Sequence, residues 1–234
     1  MVEDWTTAPV TPRIRAALGL LELMTVHPLD LDEARLAELC AQGELDSAAV
    51  YGVAAIGFHF NLMNRLADAF DFQVPDAKQR ARMARLLNIN GLHAGRFRVA
   101  NEYVTGRDGR QRPPQLEQLR EDLLSKPGLT EPDVRRQADH FVREQWGVVE
   151  PGTATVDAEV APYLKKLALH AYRIMDEDME ALREHGLSDE AIYELTVTGA
   201  VSVACIGTEQ VMAALEHRAR REGQPAAPSA VSRH

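Results

Sequence analysis

One pattern in this chain occurs twice, and it limits the fold more than any other feature. His27 and Gly43 stand 143 residues ahead of His170 and Gly186, and each glycine follows an acidic helical stretch and precedes a long apolar helix rich in small residues. A helical unit of this kind cannot bury its apolar faces alone, so two copies are expected to pack on one another. The expected fold is all-α: two diverged helical repeats with a helical insert between them.

The first repeat is expected within residues 1–72. Ile14, Ala17, Leu18, Leu21 and Met24 recur at helical spacing until Pro28 interrupts them. A second helix fits Asp32 to Cys40, with acidic residues in its first turn and Gly43 placed as a left-handed cap. A third, from about Ser47 to Phe70, is apolar nearly all round as far as Phe60 and reads as buried.

Residues 73–155 form the insert and are richer in Arg, Gln and Pro. A helix is expected over Asp76 to Leu87, another over Leu116, Leu119, Leu123 and Leu124, and Thr130-Glu-Pro-Asp133 reads as a helix start with Thr130 as N-cap. The second repeat, residues 156–222, should contain helices over Ala161 to Ala171, placing His170 inside a helix, then Asp176 to Glu184 and Ser188 to Arg218. Residues 223–234, rich in Pro, Ala and Ser, are expected to be disordered. Nothing alternates with the period of a strand.

A net charge of -9 and a pI near 5.4 argue against binding to nucleic acid or anionic membranes, which needs clustered Lys and Arg. The expected partners are a small-molecule ligand and further copies of the chain. Cys40 and Cys205 make neither a disulfide framework nor a metal cluster, and with no apolar leader or unbroken apolar span the expectation is a cytoplasmic protein without membrane segments. HExxH, Glu-x-x-His and a glycine-rich phosphate loop are missing, so no metal and no other cofactor is expected.

Most of the candidate site residues lie on the third helix. At about 100° per residue, Asn61, Asn64, Arg65 and Asp68 share one polar stripe. Arg65 offers a two-pronged donor to a carboxylate or keto-acid oxygen, with Asn61 and Asn64 as amide donors beside it; the plainer alternative is an Arg65–Asp68 pair with amides tying helices together. His59, on the face of Leu62, Met63 and Leu66, is either a general acid or base or a hydrogen-bonded core histidine. His27 and His170 are either paired ligands or residues at helix C-termini. His93, Arg96, Arg98, Glu102 and Tyr103 are candidates to cap the pocket, and Glu209, beside Cys205 and Thr208, either packs or faces the same cavity as Arg65.

Two phrases carry a family resemblance: Asp176-Glu-Asp-Met-Glu-Ala-Leu-Arg-Glu-His-Gly-Leu-Ser-Asp-Glu-Ala-Ile192, and Phe58-His-Phe-Asn-Leu-Met-Asn-Arg-Leu-Ala-Asp-Ala-Phe70. They resemble the alkylhydroperoxidase D-like, or carboxymuconolactone decarboxylase-like, family, over about half of the chain. The resemblance implies an all-helical oligomer with a pocket between helices or subunits. Many members reduce peroxides with Cys-x-x-Cys-x-x-x-His ahead of the glycine turn. Counting back from Gly186, those positions hold Ala171, Ile174 and Asp178, none of which can do that chemistry. The functional expectation is cofactor-independent acid/base chemistry on a small organic acid or lactone. Arg65, Asn61 and Asn64 would bind an oxygen anion, and His59 or Glu209 would move a proton. The alternatives are a noncatalytic binding or interaction protein, or a peroxide-linked oxidoreductase relying on Cys205 alone.

Overall fold

A computed structural model describes residues 5–72 and 115–221, together with Lys78 and Gly223. Of the helix expected over 76–87 only Lys78, which is helical, is described; the candidate capping residues His93, Arg96, Arg98, Glu102 and Tyr103 and the tail 224–234 lie outside the described residues. The described residues are all-α, with eight α-helices and no strand. These are α1 (Pro12–Val26), α2 (Glu33–Gly43), α3 (Ser47–Ala69), α4 (Leu116–Ser125), α5 (Pro132–Gln145), α6 (Ala161–Leu169), α7 (Asp176–Glu184) and α8 (Asp189–Arg221).

Short polar side chains begin several of these helices by accepting an otherwise unpaired backbone N–H. Asp32 accepts from Arg35 N at 2.7 Å, Asp46 from Ala49 N at 2.8 Å and Ser188 from Ala191 N at 3.2 Å. Three local expectations are corrected. Gly43 is not the left-handed cap of α2: it is the last helical residue, and Glu44 takes the left-handed conformation with φ 50°. Glycine is needed at 43 for space, because a Cβ there would overlap the Ala16 side chain of α1. Thr130 does not cap α5; that place falls to Glu131, while the Thr130 hydroxyl donates to Glu194 at 2.5 Å. His170 is not inside a helix but ends one.

His27 and His170 close α1 and α6 with similar backbone angles, φ -134° and ψ 52° against φ -150° and ψ 52°. Each leads into a 3-10 turn, Pro28–Asp30 or Ala171–Arg173, then a short helix and a long one. Gly186, at φ 95°, makes the left-handed turn between α7 and α8.

The two long helices, α3 and α8, form the most extensive helix pair. Ala55 and Phe58 of α3 meet Val201, Ala204 and Cys205 of α8 in one apolar cluster with Leu116. The start of α8, through Ile192 and Leu195, packs with α6 and α7 at Leu164, Leu167 and Leu182. Its end, through Val211, Ala214 and Leu215, packs with α1 and α2 at Leu20, Leu36 and Leu39. At 33 residues, α8 is about 50 Å long and joins both cores. Each long helix also packs on the 3-10 turn of the other stretch, α3 on Ala171–Arg173 and α8 on Pro28–Asp30. By length and composition α8 would span a membrane, yet 78% of its apolar window is buried inside the bundle.

Where α8 crosses the end of α1, a Cβ on Gly207 would overlap the carbonyl oxygen of Met24. That obstacle is backbone, so no side-chain rotation relieves it. Gly207→Ala is expected to destabilise the protein by roughly 2–3 kcal/mol in urea unfolding, the range of forced overpacking. An unchanged midpoint would mean that α8 does not approach α1 this closely.

Candidate functional site

The polar stripe on α3 is only partly assembled. Asn61 is buried, and its Nδ2 donates to Thr25 Oγ1 at 3.1 Å and to the Gly57 carbonyl at 3.0 Å. Arg65 Nη1 donates to the Asn61 carbonyl at 3.1 Å and to its Oδ1 at 3.0 Å, while Nη2 reaches the Ala168 carbonyl at 3.4 Å. The guanidinium thus sits at the C-terminal end of α6, where a cation complements the helix dipole. Burial lowers its pKa to about 10, with Asp68 opposing the shift. No hydrogen bond or ion pair joins Arg65 to Asp68, and both Asp68 and Asn64 are exposed. His59, half-buried, has Nδ1 2.7 Å from the Ala55 carbonyl and meets Phe58 edge to face.

Glu209 belongs to a different group of charges. Arg143 holds its carboxylate with both terminal nitrogens, at 2.6 and 3.3 Å, and Arg120 lies 3.9 Å away. Arg120 in turn donates to Asp139 at 2.6 Å, so two arginines and two carboxylates tie α4 and α5 to α8. Neither His59 nor Arg65 is among the partners of Glu209. One turn earlier, Cys205 is fully buried, and burial first, then the Glu209 carboxylate, raises its thiol to about 12. A thiol held protonated is a poor nucleophile. Ala171 and Ile174 are buried in the core. Asp178 accepts from Lys166 at 2.6 and 2.8 Å and from Met175 N at 2.9 Å, pinning the start of α7.

A cavity with the form of a binding site was not marked in the sequence. It has a volume of about 670 Å³ and lies between α5, α6, the start of α8 and the loop before α6. Ala138, Val160, Leu164 and Leu195 form its buried wall, with Val156 and Leu187 partly buried beside them. Its lip carries Glu131, Asp133, Asp157 and His185. His185 Nε2 is 3.1 Å from Asp157 Oδ2, and Asp157 Oδ1 accepts from Glu159 N at 2.9 Å. These contacts, the Glu159 amide first, hold the Asp157 carboxyl below its ordinary range. The one available signal was the Thr130-Glu-Pro-Asp133 phrase, which marks a helix start and by chance also the lip.

An ion pair between a buried arginine and a partly buried glutamate fixes that lip. Arg135 is 1% exposed and donates to three carbonyls, those of Leu123 at 2.9 Å, Lys126 and Thr130. It lies 3.3 Å from Glu194, whose carboxylate accepts from Leu129 N at 3.2 Å and from Thr130 N and Oγ1, each at 2.5 Å. A Cβ on Gly128 would collide with both Glu194 and Arg135. Among the described residues no three His, Cys, Asp or Glu side chains are grouped to hold a metal. No protein-family model matches this chain, nor does any curated protein or solved structure.

Desolvation raises the Glu194 pKa, but hydrogen bonds from Thr130 and Leu129 and the charge of Arg135 outweigh it, leaving it below the ordinary 4.5. A carboxyl depressed on folding contributes stability that is present above its unfolded pKa and is lost as pH falls through its folded one. Wild type should therefore lose thermal stability below about pH 4.5, and Glu194→Gln should show a shallower loss over that acid range. Parallel melting curves from pH 7 to pH 3 would contradict this role.

Proposed function

We propose that this is a small-molecule binding protein whose ligand occupies the cavity between α5, α6 and α8. The observation that carries the proposal is the cavity: about 670 Å³, aliphatic inside and polar at the lip, the form that small-molecule sites take. Burying about 200 Å² of apolar ligand would contribute roughly 5 kcal/mol before the entropic cost of association. Affinities for simple probes should therefore be weak, about millimolar and no tighter than roughly 0.2 mM.

Several observations favour binding over turnover. His59, Arg65 and Glu209, the groups expected to do acid/base chemistry, do not converge: Arg65 is engaged by Asn61 and Ala168, and Glu209 by Arg143. The peroxide reading would need Cys205 as a thiolate, and its burial opposes that. We read the fold as two diverged copies, similar in plan to the alkylhydroperoxidase D-like family. Support comes from the shared order of helix, histidine cap, 3-10 turn, short helix and long helix. Self-association fits the apolar stripe Ile56, Phe60 and Met63 on α3, exposed by 50%, 63% and 49%.

Ala191, in the first turn of α8, is half-buried at the cavity wall. Ala191→Phe should fill the cavity without overpacking the core, abolishing the fluorescence enhancement of N-phenyl-1-naphthylamine seen with wild type while leaving the circular dichroism unchanged. No enhancement with wild type, or equal enhancement with the folded variant, would rule the proposal out.

A further inference from the structure

We infer that the ligand of this cavity carries a cationic amine at its polar end; the inference rests on the binding reading above. The cavity is the site, and its lip sets which end of a ligand faces outward. Glu131, Asp133 and Asp157 line that lip, and no Lys or Arg lines the cavity. Two of the three carboxylates already have partners: Asp133 accepts from Arg136 at 2.6 Å, and Asp157 is paired with His185 at 3.1 Å. Glu131 differs from both. It occupies the N-cap of α5, where a side chain usually accepts a backbone N–H, yet it makes no such bond, and it meets no cation among the described residues.

An ammonium group seated beside Glu131 would supply that cation, with its hydrocarbon part against Ala138, Val160, Leu164 and Leu195. A carboxylate in the same place would face the unpaired charge of Glu131, with no Lys or Arg lining the cavity to offset it. The small organic acid expected from the sequence is therefore the class this lip disfavours, and an apolar amine is the class it selects.

The test compares three probes of nearly equal shape, 1-naphthylmethylamine, 1-naphthylmethanol and 1-naphthoate, by calorimetry on the full chain at pH 7 and low salt. The amine should bind about tenfold more tightly than the alcohol, a difference of about 1.4 kcal/mol, with the naphthoate weakest. Glu131→Gln should remove the advantage of the amine and leave the affinity for the alcohol unchanged, which also reports that the variant is folded. Equal binding of amine and alcohol by wild type, or tightest binding of naphthoate, would overturn the charge inference while leaving the cavity reading intact. If none of the three binds, both fall.

Discussion

The structure depends on burying α8 along most of its length. This one helix passes between α1 and α2 at its end, along α3 in its middle, and against α5, α6 and α7 at its start. It must therefore be apolar and narrow, and every polar group it carries needs a partner, because a buried group left unpaired costs about 1–3 kcal/mol. The requirement is met residue by residue. Thr196 bonds Tyr163 at 2.6 Å, Thr198 and Thr208 return their hydroxyls to carbonyls four residues back, and Ser202 reaches the Asp139 carbonyl. Its two acids within the bundle, Glu194 and Glu209, each meet arginine from α5. The apolar composition that would let α8 pass for a membrane span is thus what organises the bundle.

From this follows the separation of the two polar regions. Two of the arginines on α5 face α8, at two levels. Arg143, with Arg120, meets Glu209 and closes the middle of the bundle, while Arg135 meets Glu194 and fixes the loop that bears Glu131. Between Arg135 and the start of α6 the packing leaves space, and the aliphatic side chains there form the cavity wall. On the far side, Arg65 of α3 closes the end of α6 by taking the Ala168 carbonyl. At the offset of 143 residues that separates His27 from His170, Asn61 and Arg65 correspond to Ala204 and Thr208. One long helix therefore brings polar groups to its crossing, and the other brings small residues and Gly207.

Much of the helical outline was legible because its signals are local. The apolar spacing of α1, the nearly all-round apolarity of α3, the acidic start of α7 and the Gly186 turn each depend on a few neighbouring residues. The misread positions were decided by tertiary contact. Gly43 has the composition of a cap, but the closeness of Ala16 is what requires it. Thr130 has the sequence of an N-cap, but Glu194, 64 residues away, takes its hydroxyl. In the site, the adjacency of Asn61 and Arg65 could be read from helical geometry, whereas the carbonyl of Ala168 and the pairing of Glu209 with Arg143 could not. The cavity was invisible for the same reason: its wall comes from α5, α6, α8 and a loop, and no one segment carries a pattern for it.

The claim on which the functional account turns is that ligand enters among α5, α6 and α8 and not beside the Arg65 stripe. Methyl-labelled protein titrated with 1-naphthylmethanol and followed by NMR locates it directly. The account predicts that Val156, Val160, Leu164, Leu187 and Leu195 shift together and saturate with one affinity. Shifts concentrated at Leu62 and Leu66 of α3, with those five unmoved, would contradict it.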